Sequence, residues 1–461
     1  MEQINAYLKN LDALASWPMF ILLIGGGFFL MVYSKLSPYR LFGHAIAITR
    51  GKYDDKNAKG EITSLQALSA AVAATVGLGN ISGVALAIRD GGPGVVFWIW
   101  MTAIIGMCIK FYSCSLSIMF RGKDSSGKVQ GGPMFYITQG LGEKYKPLAV
   151  FFCIAGMFGF LGVFTANQFT ETFMSVVKPE ETLFALGGIK DDALFYWKLL
   201  IGIVLAVIAS LVIFGGLKKI AKVATTLVPF MAFIYLMAVI IVIILNASLV
   251  LPSLKLVITE AFNFNAMVSG GFWGLVIIGV KRAMFSNEAG LGSAPMYHGQ
   301  SKNDEPIREG LVAMLGPFID TIVICTLTAI VIIISGSYQQ DNEGIVMTLQ
   351  AFETTLGSYG DDLLMVIVSA FALSTLFTYS YYGVKCLSFL TNAKIGKYYN
   401  HFFILMIVLA AIVSLDFVKT LIDLSYALMV IPNMIAVLLL APKVNKAAKV
   451  YFQKMKDEQK A

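Results

Sequence analysis

Apolar residues fall in eleven blocks along the chain, each long enough to cross a bilayer as a helix. They lie roughly at 18–37, 64–89, 93–120, 148–175, 195–215, 223–246, 267–296, 309–336, 362–391, 400–416 and 420–442. The polar gaps between them reach only about 25 residues, so no soluble domain of useful size is expected. Two blocks break their own pattern. The second carries Ala73-Ala-Thr-Val-Gly-Leu-Gly-Asn80 at mid-depth, and the seventh carries Phe285-Ser-Asn-Glu-Ala-Gly-Leu-Gly-Ser-Ala-Pro295. Backbone groups in hydrocarbon must be hydrogen-bonded, so a helix breaks there only where protein or a polar cavity receives the freed groups.

Composition agrees with the pattern. The chain of 461 residues is 57% hydrophobic and 14% charged, with mean hydropathy +0.75; soluble domains carry about 25% charged residues. The net charge of +7 is explained by its placement. With the N-terminus outside, the cytoplasmic gaps 35–63, 121–147, 214–224, 297–308, 391–400 and the tail from 442 hold 24 Lys and Arg, and the opposite side holds seven. That bias orients the chain by the positive-inside rule, with an odd number of spans and the C-terminus in the cytoplasm. It also assigns the basic surplus to topology and anionic lipid rather than nucleic acid. The five cysteines all fall in apolar blocks and imply no disulfide framework. The first block reads as a retained helix rather than a cleaved leader.

With the first helix set aside, ten remain, and the two interruptions fall five helices apart in the order, so the two halves run in opposite orientations. Interrupted helices at matching positions of two five-helix halves point to an inverted-repeat transporter. The expected division is 1–63, an extra N-terminal helix and loop; 64–246, the first repeat; 267–442, the second, inverted repeat; and 443–461, a basic cytoplasmic tail. The inversion rests on topology; no residue-level similarity joins the halves.

The breaks suggest their chemistry. Gly77 and Gly79 admit backbone angles that a helix does not use. A half-helix beginning near Asn80 would aim its free N–H groups at a carboxylate. The half ending at Ala73–Val76 would turn free carbonyls toward a cation such as Na⁺. Small residues four apart (Ala73/Gly77, Gly79/Gly83) are equally a helix-packing signature. The second break offers carbonyls to a substrate ammonium and places Ser286, Asn287 and Glu288 in an apolar span, where charge is costly and usually functional; a loop protruding into the cytoplasm is the alternative. Glu288 could pair with Arg282 or Lys110. Ser374 and Thr375 are adjacent hydroxyls that could complete an oxygen cage for Na⁺, or bond back to the preceding turn. Thr165, Asn167 and Gln168 form a polar group whose alternative role is inter-helix hydrogen bonding. Lys110 and Lys385 read as structural or snorkelling. The three histidines are scattered, and no metal spacing, nucleophile elbow or phosphate loop supports an enzyme.

The chain resembles the alanine or glycine:cation symporters, also called sodium:alanine symporters. The likeness runs from about residue 64 to 390, on Thr75-Val-Gly-Leu-Gly-Asn-Ile-Ser-Gly-Val84, Gly91-Gly-Pro-Gly94 with Phe97-Trp98, Gly131-Gly-Pro-Met134, Phe285 to Pro295 and Gly316-Pro-Phe-Ile-Asp-Thr321. It implies an all-α fold of the leucine-transporter type, with one extra N-terminal helix; the short loops point to a bacterial or archaeal plasma membrane. It also implies cation-coupled uptake of a small neutral amino acid. By the resemblance, Na⁺ is held by Ala73, Val76, Phe371, Ser374 and Thr375, and substrate by Thr75, Gly77, Gly79, Asn80, Thr165, Phe285, Ser286 and Tyr379. Members commonly have Trp where Tyr379 stands and Gln where Thr165 stands, both in the pocket. These changes imply a larger cavity with different polar groups. The rival readings are a proton-coupled or uncoupled carrier, a polytopic membrane enzyme, and a channel. An enzyme would need a His or carboxylate cluster at a membrane face, and a channel a repeated pore loop.

Overall fold

The computed structural model describes residues 2–53, 58–179, 190–262, 271–342, 344–357 and 359–460. It is helical apart from a short hairpin pairing Gly122–Lys123 with Val129–Gln130. Among the described residues nine helices are long and apolar enough to cross a membrane. Counted as one span, Ser64–Thr75 and Leu78–Gly91, bent by 57° at the first predicted break, make a tenth. The second interrupted helix runs Gly271–Asn287, breaks, and resumes as Ala294–His298; its expected residues 267–270 lie outside those described.

Several boundaries differ from the sequence reading. The first span starts far upstream of residue 18: helix Glu2–Phe20 continues through a π-turn at Ile21–Gly25 to Tyr33. Its polar positions are paired with other helix ends rather than left in a loop. Asn5 and Lys9 donate to Asp416 at 2.6 and 2.7 Å, and Lys281 bonds Asp12 at 2.6 Å. The fourth span is two helices, Lys146–Gly159 and Val163–Val177, because Gly162 takes φ +65° beside Leu376. Two gaps read as loops contain helices, Ala247–Glu260 and Ile345–Leu356. The last span runs unbroken as Leu415–Lys460, so residue 443 begins no separate segment.

The loops rich in Lys and Arg gather on one face. Ser125 accepts from the Ala393 amide, Lys443 bonds the Gly140 carbonyl, His44 meets Tyr451, and Phe214 packs on His401. On that face burial opposes ionisation of Asp124 in the hairpin turn, yet hydrogen bonds from Ser126 and the Lys128 amide outweigh it and hold the carboxyl below its usual range. The ion pairs Lys9–Asp416 and Lys419–Asp90 lie at the opposite end of the last span. The two broken helices run between these faces, through the most buried part of the molecule, where Tyr297, Tyr382, Tyr426 and Phe371 are fully enclosed.

Candidate functional site

The first broken helix starts with a capping box: Thr63 accepts from the Gln66 amide while the Gln66 side chain accepts from the Thr63 amide. It ends where Val76 turns to ψ 78°. Gly77 then passes directly against Thr375: a Cβ here would strike the Thr375 hydroxyl. This approach brings the carbonyl of Ala73 onto the ninth expected span, helix Tyr359–Leu390. Ser374 Oγ lies 3.2 Å from Ala73 O and 2.9 Å from Phe371 O; Thr375 Oγ1 lies 3.4 and 3.1 Å from the same two. Four of the five predicted cation ligands therefore form one cluster of two carbonyl and two hydroxyl oxygens, with Val76 buried at the same turn. Each hydroxyl thus bonds both its own preceding turn and the carbonyl of the broken helix. Oxygens bonded at about 2.4 Å to a common cation at right angles stand ~3.4 Å apart, so this cluster needs little expansion to enclose one.

Past the break, the Asn80 side-chain Nδ2 donates to the Asp320 backbone carbonyl at 3.0 Å, and the Asn80 backbone carbonyl accepts from Thr328 at 2.9 Å. Gly79 and Gly83 expose bare backbone to the Phe285 ring, 2.9 and 3.3 Å from the positions their Cβ atoms would take. The Gly79/Gly83 spacing thus serves helix packing, against the helix that leads into the second break. Phe285 is further enclosed by Phe164 and Tyr426, at ring distances of 4.7 and 5.7 Å. The Arg282 guanidinium, paired with Asp423, lies over it at 5.7 Å. Thr165 is buried next to Phe164 at the start of its helix.

The second break is buried throughout, so it is not a protruding loop. Glu288, Gly290 and Gly292 all take left-handed φ, at 53°, 85° and 86°, which accounts for the Gly-Leu-Gly sequence there. A freed carbonyl is received by protein, Gly290 O by Asn433 at 2.6 Å, and Ser117 adds a second bond at 2.5 Å to Pro295 O, which also accepts the Gly299 amide in the resumed helix. Glu288 pairs with neither Arg282 nor Lys110. Its carboxylate accepts from Tyr379 and Ser293, both at 2.5 Å, and Tyr379 meets the Tyr426 hydroxyl at 2.9 Å. Arg282 is taken by Asp423 instead. Ser286 meets Thr321 at 2.9 Å, and Thr321 bonds Asp320 at 2.6 Å. Three polar atoms around the breaks, Asn80 Oδ1, Asn287 Nδ2 and Asp320 Oδ2, are buried without a partner among the described residues. Buried polar groups are rarely left so. Lys110 is buried nearby, against Gly316.

Below the site, the lysine-rich face is sealed. Ile62 and Ser301 form a parallel bridge, so the segment leading into the first broken helix is stapled to the one leaving the second. Arg121, its side chain 8% exposed, ties them with hydrogen bonds to the carbonyls of Lys59, Gly299, Ser301 and Asn303. Beneath this seal Glu309 accepts from Ser64 at 2.7 Å and Asn303 at 3.2 Å, and meets His298 at 2.6 Å. Asn167 has its alternative role, bonding the Ala410 and Val413 carbonyls, and Gln168 accepts from Ser82 and the Ile345 amide.

The family profile described as the sodium:alanine symporter family matches residues 1–461. The chain belongs to this family. Sodium/alanine symporter AgcS of Methanococcus maripaludis is 36% identical, over 96% of this chain and 96% of that protein. The probable sodium/glutamine symporter GlnT of Bacillus subtilis is 31% identical, over 99% of this chain and 92% of that protein. Among solved structures, MhsT in complex with L-phenylalanine aligns with TM-score 0.59 at 15% identity, covering 85% of this chain and 99% of that one. The fold is of the leucine-transporter type, and the protein is a secondary transporter rather than an enzyme. Of the site residues, the sequence singled out both breaks and the Ser374–Thr375 pair. It assigned no role to Asp320, Tyr426 or Phe164, and it did not connect Arg121, His298 or Glu309. Asp320 had one visible signal, a carboxylate in an apolar block.

Proposed function

We propose that this sodium:alanine symporter family member couples Na⁺ entry to uptake of a small neutral amino acid by alternating access. It would do so as eleven spans with an inverted five-plus-five repeat, its C-terminus in the cytoplasm of a plasma membrane. The observation that carries the reading is the oxygen cluster of Ala73, Phe371, Ser374 and Thr375. A hard monovalent cation favours such uncharged oxygens, and the cluster straddles the first break. Bound there, Na⁺ fixes the half-helix against the ninth span and pre-pays part of the ordering that substrate requires, so the two ligands bind cooperatively.

The substrate carboxylate meets Thr75, Gly77, Gly79 and Asn80, and the ammonium meets backbone at Phe285 and Ser286. Thr165, Phe285 and Tyr379 border the side chain. The unpartnered Asn80, Asn287 and Asp320 atoms support a polar ligand at the junction. The test is uptake of radiolabelled alanine into proteoliposomes under an inward Na⁺ gradient against an equal K⁺ gradient. Uptake at least tenfold faster with Na⁺ is expected; equal rates would move the assignment to a proton-coupled or uncoupled carrier.

A larger neutral substrate is the second reading, favoured by Tyr379. This residue stands where the family commonly has Trp, and its hydroxyl is held by Glu288 and Tyr426. Tyr379→Trp is expected to lower uptake of larger amino acids relative to alanine about tenfold, the scale on which a pocket discriminates one or two methylenes. Unchanged relative rates across an amino-acid panel would remove Tyr379 from the pocket.

A further inference from the structure

On the lysine-rich face, a groove of about 490 Å³ lies between the C-terminal helix and the ends of two membrane helices. Its floor is apolar, built from Met119, Pro306, Ala447 and Val450, and Val450 is 67% exposed. Lys443, Lys446 and Lys454 line it. With Ala447 and Val450, they stand at i, i+3, i+4, i+7 and i+11, the spacing that puts side chains on one helix face. Among the described residues none of the three lysines has a carboxylate partner; Lys443 bonds the Gly140 carbonyl at 3.1 Å and lies over the Phe120 ring. The one acid lining the groove, Glu305, caps the helix Pro306–Ala313 by accepting from the Ile307 amide at 3.4 Å.

We propose that this groove binds one anionic phospholipid, its phosphate among the three lysines and its acyl chains along the apolar floor. Charge complementarity and position select the occupant. Three cations face one engaged carboxylate, and the groove sits where membrane helices end, on the side that attracts anionic lipid. A soluble anion would leave Val450 and Met119 uncovered, whereas a zwitterionic lipid would leave the lysines uncompensated. The wall is functionally placed. The helix that starts at Pro306 carries Glu309, which holds Ser64 at the foot of the first broken helix. A lipid here therefore braces the helix whose Glu309 lies beneath the seal.

Native mass spectrometry of the full-length protein in detergent, titrated with phosphatidylglycerol or phosphatidylethanolamine, tests the site. Each lysine near an anionic surface contributes about fivefold to binding. The triple variant Lys443→Gln/Lys446→Gln/Lys454→Gln is accordingly expected to lose preference for phosphatidylglycerol by about 100-fold. The triple Lys→Arg variant should keep the preference. A control triple of Lys218, Lys219 and Lys222 to Gln, equal in charge, should retain it as well. An equal loss in the control would reduce the effect to net charge and overturn the site. Displacement of the lipid by millimolar glycerol 3-phosphate would give the groove to a soluble anion and equally overturn the proposal. The binding readout is independent of transport, so a failed Na⁺-uptake result leaves it standing.

Discussion

Uptake by the double variant Ser374→Ala/Thr375→Val is expected to fall at least 100-fold under a Na⁺ gradient. Each hydroxyl bonds both the Ala73 and Phe371 carbonyls. Removing a buried partner costs about 1–3 kcal/mol, and here it also removes a cation ligand. Thr375→Ser keeps the oxygen and should hold the half-saturating Na⁺ concentration within a few-fold of the parent. Gly77→Ala should match the double variant, because its Cβ would strike Thr375. The measurement is alanine uptake against Na⁺ concentration, with yield of monodisperse protein as the check on folding. Unaltered Na⁺ dependence in the double variant would exclude the cluster as the cation site.

The second large effect is expected at the seal. Arg121→Ala removes four charge-assisted hydrogen bonds to carbonyls of the segments flanking the two broken helices. Bonds to a charged group contribute about 1.5–3 kcal/mol each. A net shift of even ~1.4 kcal/mol changes the open population tenfold. A cysteine placed at Gln300, which is buried under the seal, should therefore react with a soluble maleimide at least tenfold faster in the Arg121→Ala background. The native cysteines are all buried and contribute little labelling. Arg121→Lys should fall between, since one ammonium cannot serve the fork of carbonyls. Equal labelling in both backgrounds would show that Arg121 does not hold this face shut.

Both predictions join residues that the sequence presents very unequally. The breaks were legible because glycine, asparagine and glutamate are chemically out of place inside an apolar block. Ser374 and Thr375 stood out for the same reason. Arg121 looked like one more loop cation in a count of charges, and His298 like a stray polar residue. Their importance comes from partners far away in the chain, such as Gly299 and Lys59 for Arg121.

The pairing of buried charges was the least legible feature. Arg282, Lys110 and Glu288 suggested one ion pair, but the fold brings Asp423 to Arg282 and Tyr379 to Glu288. Several acids were compatible with each base, and only the rotation of packed helices chooses among them.

What the sequence by itself determined was the membrane environment, the positions of both breaks and the family. Those follow from the cost of polar groups in hydrocarbon, which acts residue by residue along the chain. The tertiary structure alone decided the oxygen cluster, the nesting of Phe285 on Gly79, the seal at Arg121 and the helices hidden in the gaps. Helices that are apolar all round carry little periodic signal about which faces meet, so those contacts are chosen only when small residues and polar groups find their partners in three dimensions.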